Sequence, residues 1–205
     1  MQVTDKEMYH FHNNSAYNDI LVPNNEIIVD NSFNTFYVDI LKTYTTAVNL
    51  KNGDKLSFDR LIDNYLERDV SKETLIKLLK EAARIIEDIN ICKRELALER
   101  VRETRYPDLP SRSHSIWLCD EFGLDFWKDA LSGGNKIKLN LYKVSVTGNL
   151  FKSSDAFLPK NTSDYGTNLI EACEYWNPQL TAEDDRERIE YLFQGKLKIL
   201  EKLDY

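Results

Sequence analysis

The longest periodic pattern in the chain runs from residue 72 to residue 105, and it limits the folds available. Leu75, Leu79, Ala82, Ile86 and Ile89 recur at helical spacing. Pairs such as Lys77 and Glu81 decorate the other side at i, i+4. Ser71 is a suitable N-cap, Val70 can staple to Leu75, and Pro107 and Pro110 end the pattern. A long helix is predicted, with its apolar stripe packed on the core of its own domain.

On either side of this helix the pattern alternates instead. Residues 8–12 (MYHFH) and 26–30 (EIIVD) read as short strands. Residues 36–48 suit a helix or an irregular buried segment, 52–54 a turn, and Phe58, Leu61, Ile62 and Leu66 return to helical spacing. Residues 115–119 (SIWLC) predict a strand, and 120–131 a helix capped by Asp120. The clearest strand is 137–147, whose apolar phase slips near Tyr142, the mark of a bulge or of burial on both faces. Another extended piece at 149–158, a helix at 168–176, an acidic segment at 182–189 and a last strand at 196–203 after Gly195 complete the reading. The order predicts one α+β domain over residues 1–205 with a mixed sheet, and 36–106 as a mainly helical insertion between the first and second core strands.

Composition removes several function classes. The chain has 7 glycines and 5 prolines in 205 residues. Dinucleotide folds built on GxGxxG and phosphate loops need glycines that are absent here, and Gly133-Gly134 matches neither pattern. A net charge of −7 without a basic arm argues against electrostatic wrapping of nucleic acid. Three cysteines without CxxC spacing fit a reducing compartment. The N-terminal residues have no apolar leader, and no window approaches the roughly 18 apolar residues of a membrane span. The expectation is a soluble cytoplasmic protein with no membrane partner; export without a cleaved signal stays open.

Three segments carry the residue types of a site. On a strand, His10 and His12 share one face, where two imidazoles can bind phosphate, hydrogen-bond a ribose or hold a metal. In Ser111–Asp120, Arg112 could clamp a phosphate and Trp117 could stack on a flat ring, with Ser113 and Ser115 opposite His114 if the strand starts early. In Glu187–Leu200, Glu190 directly precedes an apolar run, a glycine and a strand.

In order and spacing, these segments resemble the ADP-ribosyltransferase fold, in its His–Tyr–Glu branch. The resemblance rests on Tyr9-His10, on Ser115-Ile116-Trp117-Leu118 with the following helix, and on Glu190-Tyr191-Leu192 through Ile199. It covers residues 8–12 and about 111–203. It departs at Phe11, where the family often has glycine, at Trp117, where tyrosine is usual, and at Arg188, where arginine-modifying members carry an acid or amide. The chain also resembles an uncharacterised prokaryotic family over most of its length.

The resemblance implies a split sheet and NAD as substrate. His10 would hydrogen-bond a ribose hydroxyl, Trp117 would stack on nicotinamide with Ser115 beside it, and Arg112 would offset pyrophosphate charge. Glu190 would be catalytic, holding the nicotinamide ribose 2′-hydroxyl as positive charge develops. Tyr9, His12 and His114 are further candidates. The implied acceptor is a protein, a nucleic acid or a small molecule, in a role of toxin or phage-defence type. Two other readings stand beside it. One is a hydrolase with a metal held by His10, His12 and His114 together with Cys119 or an acid, although no HExxH is present. The other is a non-catalytic interaction protein of the same fold, using the 72–105 helix or the aromatics of 171–176.

Overall fold

The computed structural model describes residues 1–13, 21–30, 47–49, 55–57, 59–60, 62–63, 72–133, 137–177 and 185–204. In chain order these form β1 (Gln2–Asn13), β2 (Glu26–Val29), β3 (Ala47–Asn49), β4 (Lys55–Ser57), α1 (Lys72–Arg105), β5 (Ile116–Leu118), α2 (Leu124–Ser132), β6 (Leu139–Ser154), α3 (Tyr165–Tyr175) and β7 (Ile189–Leu203). The architecture is α+β. No helix among the described residues is long and apolar enough to cross a membrane. The predicted cap at Ser71, the staple at Val70, the 52–54 turn and most of 36–48 lie outside the described residues.

The main sheet has the order β1-β6-β7-β2, with β5 added to the N-terminal half of β7. Every described pairing is antiparallel, which corrects the expected mixed sheet. The reason lies in where α3 sits. Ser154 at the end of β6 pairs with Ile189 at the start of β7. The intervening segment therefore turns back at one end of the pair instead of crossing the sheet, as a parallel connection requires. Tyr9 and Cys119 also form a bridge, each N–H donating to the other's carbonyl at 2.9 Å. The pairings thus run in a circuit from β1 to β6, β7, β5 and back to β1.

Two strands are longer than their patterns predict. Residues 149–154 continue β6, followed by a 3-10 turn at Asp155–Phe157, and β7 starts at Ile189, not at 196. Gly195 does not interrupt β7. It faces Gly148 across the β6–β7 ladder, with φ of 140° and 154° respectively. A Cβ on Gly195 would lie 2.6 Å from the Thr147 carbonyl oxygen and 2.8 Å from Gly148 Cα. The two glycines allow the backbones to meet where the paired strands change partners, from β5 to β2 on one side. The phase slip read near Tyr142 is a register shift between Lys143 and Val144.

The stripe on α1 does not pack as expected. Leu75, Leu79 and Ile86 are 53%, 61% and 59% exposed. Burial belongs to the second half of the helix, where Cys92, Glu95, Ala97, Leu98 and Val101 are covered. There Leu98 and Val101 pack with Phe151 of β6, Leu192 of β7 and Ala172, Tyr175 and Trp176 at the end of α3. Trp176 donates its indole N–H to the Leu98 carbonyl at 2.8 Å. Tyr175 and Trp176 are therefore interior residues and offer no partner surface.

Candidate functional site

The site begins with the alternation of β7. Its first five residues, Ile189 to Phe193, are all buried. Ile189, Tyr191 and Phe193 join the core formed with Met8, Ile116, Leu118, Val144 and Leu150. Leu192 points the other way, into the cluster under α1 and α3. Glu190 has the parity of Leu192, so the strand carries a carboxylate into the helix-facing interior, where it is 5% exposed. The start of β7 is pinned by α2, because Trp127 donates its indole N–H to the Ile189 carbonyl at 2.9 Å.

A carboxylate so buried needs a cation or donors. Arg112 supplies the cation. Ser111 accepts a hydrogen bond from the Ser113 amide at 3.2 Å and caps a 3-10 turn over Arg112–His114. Strand β5 begins only at Ile116, so Ser113 and Ser115 do not alternate with His114 on a strand as expected. The turn drives Arg112 inward, to 5% exposure. Its Nε donates to Glu95 Oε2 at 2.9 Å, and its Nη1 donates to Glu190 Oε1 at 2.6 Å. The same Nη1 bonds the Tyr175 hydroxyl, which itself donates to Glu190 Oε1. Arg94 completes the series with Nη2 at 2.8 Å from Glu95 Oε1. The guanidinium of Arg112 lies 4.9 Å from the Tyr175 ring centre and 5.5 Å from that of Trp117.

Two guanidiniums and two carboxylates therefore alternate as Arg94, Glu95, Arg112 and Glu190, with no net charge. Burial pushes the Glu95 carboxyl up, but the guanidiniums of Arg112 and Arg94 outweigh it and hold the group below its ordinary value. Burial works against the Arg112 charge, yet Glu95, Tyr175 and Glu190 around it raise its pKa well above the usual one. Burial, with Glu190 beside it, raises the Tyr175 hydroxyl well above its ordinary value, so it remains a donor.

His10 stands on β1, across from this group. Its Nδ1–H donates to the Trp117 carbonyl at 3.0 Å, which leaves Nε2 as the acceptor. Burial is the main cause that lowers its pKa, to about 4, against the opposing effect of that carbonyl, and His12 adds to the lowering. The ring is neutral at pH 7. The His10 and His12 rings lie 5.8 Å apart, as their shared strand face requires.

One cleft of about 360 Å³ gathers Tyr9 and His10 from β1, Trp117 from β5, Arg112 from the turn and Glu190 from β7. Arg94 and Glu95 of α1 line it too. That size lies in the range of small-molecule sites. His12, His114 and Ser115 are not among its lining residues. Ser115 is 1% exposed at the base of β5, and the His114 carbonyl accepts from Gln194 Nε2 at 3.4 Å. Among the described residues no three His, Cys, Asp or Glu side chains gather as metal ligands, so the expected His10, His12, His114 and Cys119 set does not form. The Cys119 thiol, pushed up to about 12 by burial and Asp120, stays protonated.

A family model described as "Protein of unknown function (DUF2441)" matches residues 8–205. The chain belongs to that family. The matched span of this DUF2441 chain contains every cleft residue named above, from Tyr9 to Glu190. No curated protein matches it.

Sequence reasoning missed Arg94, Glu95 and Tyr175 as part of the site. For Glu95 a signal existed. Cys92, Glu95, Leu98 and Val101 follow one another at three-residue spacing, so an acid occupies a position in the buried stripe. An acid there requires a cation from elsewhere in the chain. Nothing in the local pattern distinguishes Tyr175 from its neighbour Trp176.

Proposed function

We propose that this cleft binds NAD and that the protein transfers ADP-ribose from it to an acceptor. One observation carries the reading: His10, Trp117 and Glu190, far apart in sequence, line one cleft from three strands. In this proposal the neutral His10 accepts a ribose hydroxyl proton at Nε2, and the Trp117 ring supports the nicotinamide. Both bonds that Glu190 receives from Arg112 and Tyr175 fall on Oε1. Among the described residues, Oε2 is left for the 2′-hydroxyl of the nicotinamide ribose.

The bond between the ribose carbon and nicotinamide nitrogen breaks, and its electron pair leaves with nicotinamide. An acceptor nucleophile then bonds the same carbon and gives up its proton. Positive charge builds on the ribose in between, where a fixed carboxylate stabilises it. Arg112 has a different part here from the pyrophosphate contact that the resemblance implies. Its charge is already shared between Glu95 and Glu190, so it holds the carboxylate in place. The acceptor is a protein side chain, a nucleic acid or a small molecule.

The test is nicotinamide release from NAD in cell extract, with calorimetry of NAD binding. Wild type should release nicotinamide, and Glu190→Gln should do so about a hundredfold more slowly. His10→Ala should weaken NAD binding while the far-ultraviolet circular dichroism is unchanged. No release and no binding by the wild type would overturn the reading.

A further inference from the structure

We infer that Glu95, on the long helix α1, is a positioning residue for Glu190 and acts through Arg112. The inference rests on the reading of Glu190 as the catalytic carboxylate. Glu95 is 2% exposed, and both of its oxygens are engaged by guanidiniums, Oε1 by Arg94 at 2.8 Å and Oε2 by Arg112 at 2.9 Å. It has a different task from a group that meets the ligand. Its bond to Nε fixes the Arg112 fork from one edge, and that fork delivers Nη1 to Glu190 at 2.6 Å. The rings of Trp117 and Tyr175 lie 5.5 Å and 4.9 Å from the guanidinium, and Nη1 meets Glu190 and the Tyr175 hydroxyl. The Glu95 contact holds the opposite, Nε edge of the same guanidinium.

Stability alone is a poor account of such a group. A buried ion network of this kind is often matched or exceeded in stability by apolar residues of similar volume. This one lies in the wall of the cleft, and all four of its charged members line it. The helix α1 thus reaches the cleft through the side chains of Arg94 and Glu95. Small displacements of a reacting group are costly: a shift of about 1 Å can lower the rate about a hundredfold.

Glu95→Gln keeps the size and one acceptor but removes the charge. Nicotinamide release should fall at least about tenfold in kcat with KM for NAD nearly unchanged, and Glu95→Gln added to Glu190→Gln should produce little loss beyond that of Glu190→Gln alone. A ligand-free readout accompanies it, the nitrogen-15 resonances of the Arg112 side chain. Held at both ends, they should exchange slowly in wild type and rapidly in Glu95→Gln. Unchanged kcat together with unchanged Arg112 exchange would overturn the inference, as would a loss confined to KM. A wild type that releases no nicotinamide overturns the transfer reading instead, and the Arg112 exchange then decides whether Glu95 holds the guanidinium. Should Glu95→Gln fail to fold, Arg94→Gln removes the other partner of Glu95 from a more exposed position. It should give a smaller fall in kcat and partly faster Arg112 exchange, and no change in either would overturn the inference.

Discussion

Replacing Arg112 with methionine removes the guanidinium and keeps much of its length. The side chains of Glu95 and Glu190 are 2% and 6% exposed, so water offers each little compensation. Arg94 still reaches Glu95, but among the described residues Glu190 retains only the Tyr175 hydroxyl. Removing one partner from a buried ion pair costs about 3–5 kcal/mol, because the other charge remains desolvated. For a chain of this size each kcal/mol lowers the melting temperature by about 2–4 °C, so a fall of about 10 °C is expected.

The sign of the pH dependence gives a sharper check. In wild type the Glu95 carboxyl is held below its unfolded value, so its contribution is present above about pH 4.3 and is lost as pH falls through the folded value. In the variant Glu95 loses the larger of its two lowering cations and keeps only Arg94, so burial raises its carboxyl relative to wild type and the deficit should shrink between neutral pH and about pH 5. Urea unfolding of both proteins at pH 7.5 and pH 5 measures this. A deficit under about 1 kcal/mol at pH 7.5, or one equal at both pH values, would refute the linked series of charges.

Two further outcomes are expected. Gly195→Ala should lose at least about 1–3 kcal/mol in thermal or urea unfolding, because φ of 140° and a Cβ 2.6 Å from the Thr147 carbonyl oxygen strain the ladder; unchanged stability would contradict the facing glycines. His10, lowered from 6.5 to about 4, should stay neutral by NMR down to about pH 4. The folded state then binds fewer protons than the unfolded one, so stability present above pH 6.5 is lost toward pH 4, by at most about 3 kcal/mol. His10→Phe should lack that part of the acid sensitivity, and an NMR titration near 6.5 would refute the buried setting.

What the sequence made legible was local. The shared face of His10 and His12 follows from the two-residue period of a strand, and their rings lie 5.8 Å apart. Asp120 does cap a turn, its side chain accepting from the Phe122 amide at 3.1 Å, but that turn is the 3-10 segment Glu121–Gly123 and α2 itself starts after Gly123; the slip near Tyr142 is a real shift in register. What failed depended on partners distant in the chain. The apolar spacing of α1 is continuous, but only its second half meets α3 and the sheet, so Leu75, Leu79 and Ile86 stay exposed. Gly195 reads as punctuation until Gly148 is known to face it. The candidates separate in the same way. His10, Trp117 and Glu190 each carry a type that stands out on its strand, and the three line one cleft. Glu95 and Tyr175 were hidden inside patterns that look like ordinary core.

The circuit of pairings explains why those strand residues can form a precise site. His10 is placed by the β1–β6 ladder, and its neighbour Tyr9 is tied to Cys119 just after β5. Trp117 pairs directly with Leu192, two residues after Glu190. The spacing between the imidazole and the carboxylate is thus set by backbone hydrogen bonds in regular strands, which hold geometry more tightly than loops do. The helices act on a different variable. Through Trp127 to the Ile189 carbonyl and through Glu95 and Arg112 to Oε1, α2 and α1 address the strand next to Glu190 and the carboxylate itself. The sheet therefore sets where the carboxylate stands, and the helical side sets how its oxygens are presented. A substitution at Glu95 of α1 is therefore expected to change the second without disturbing the first.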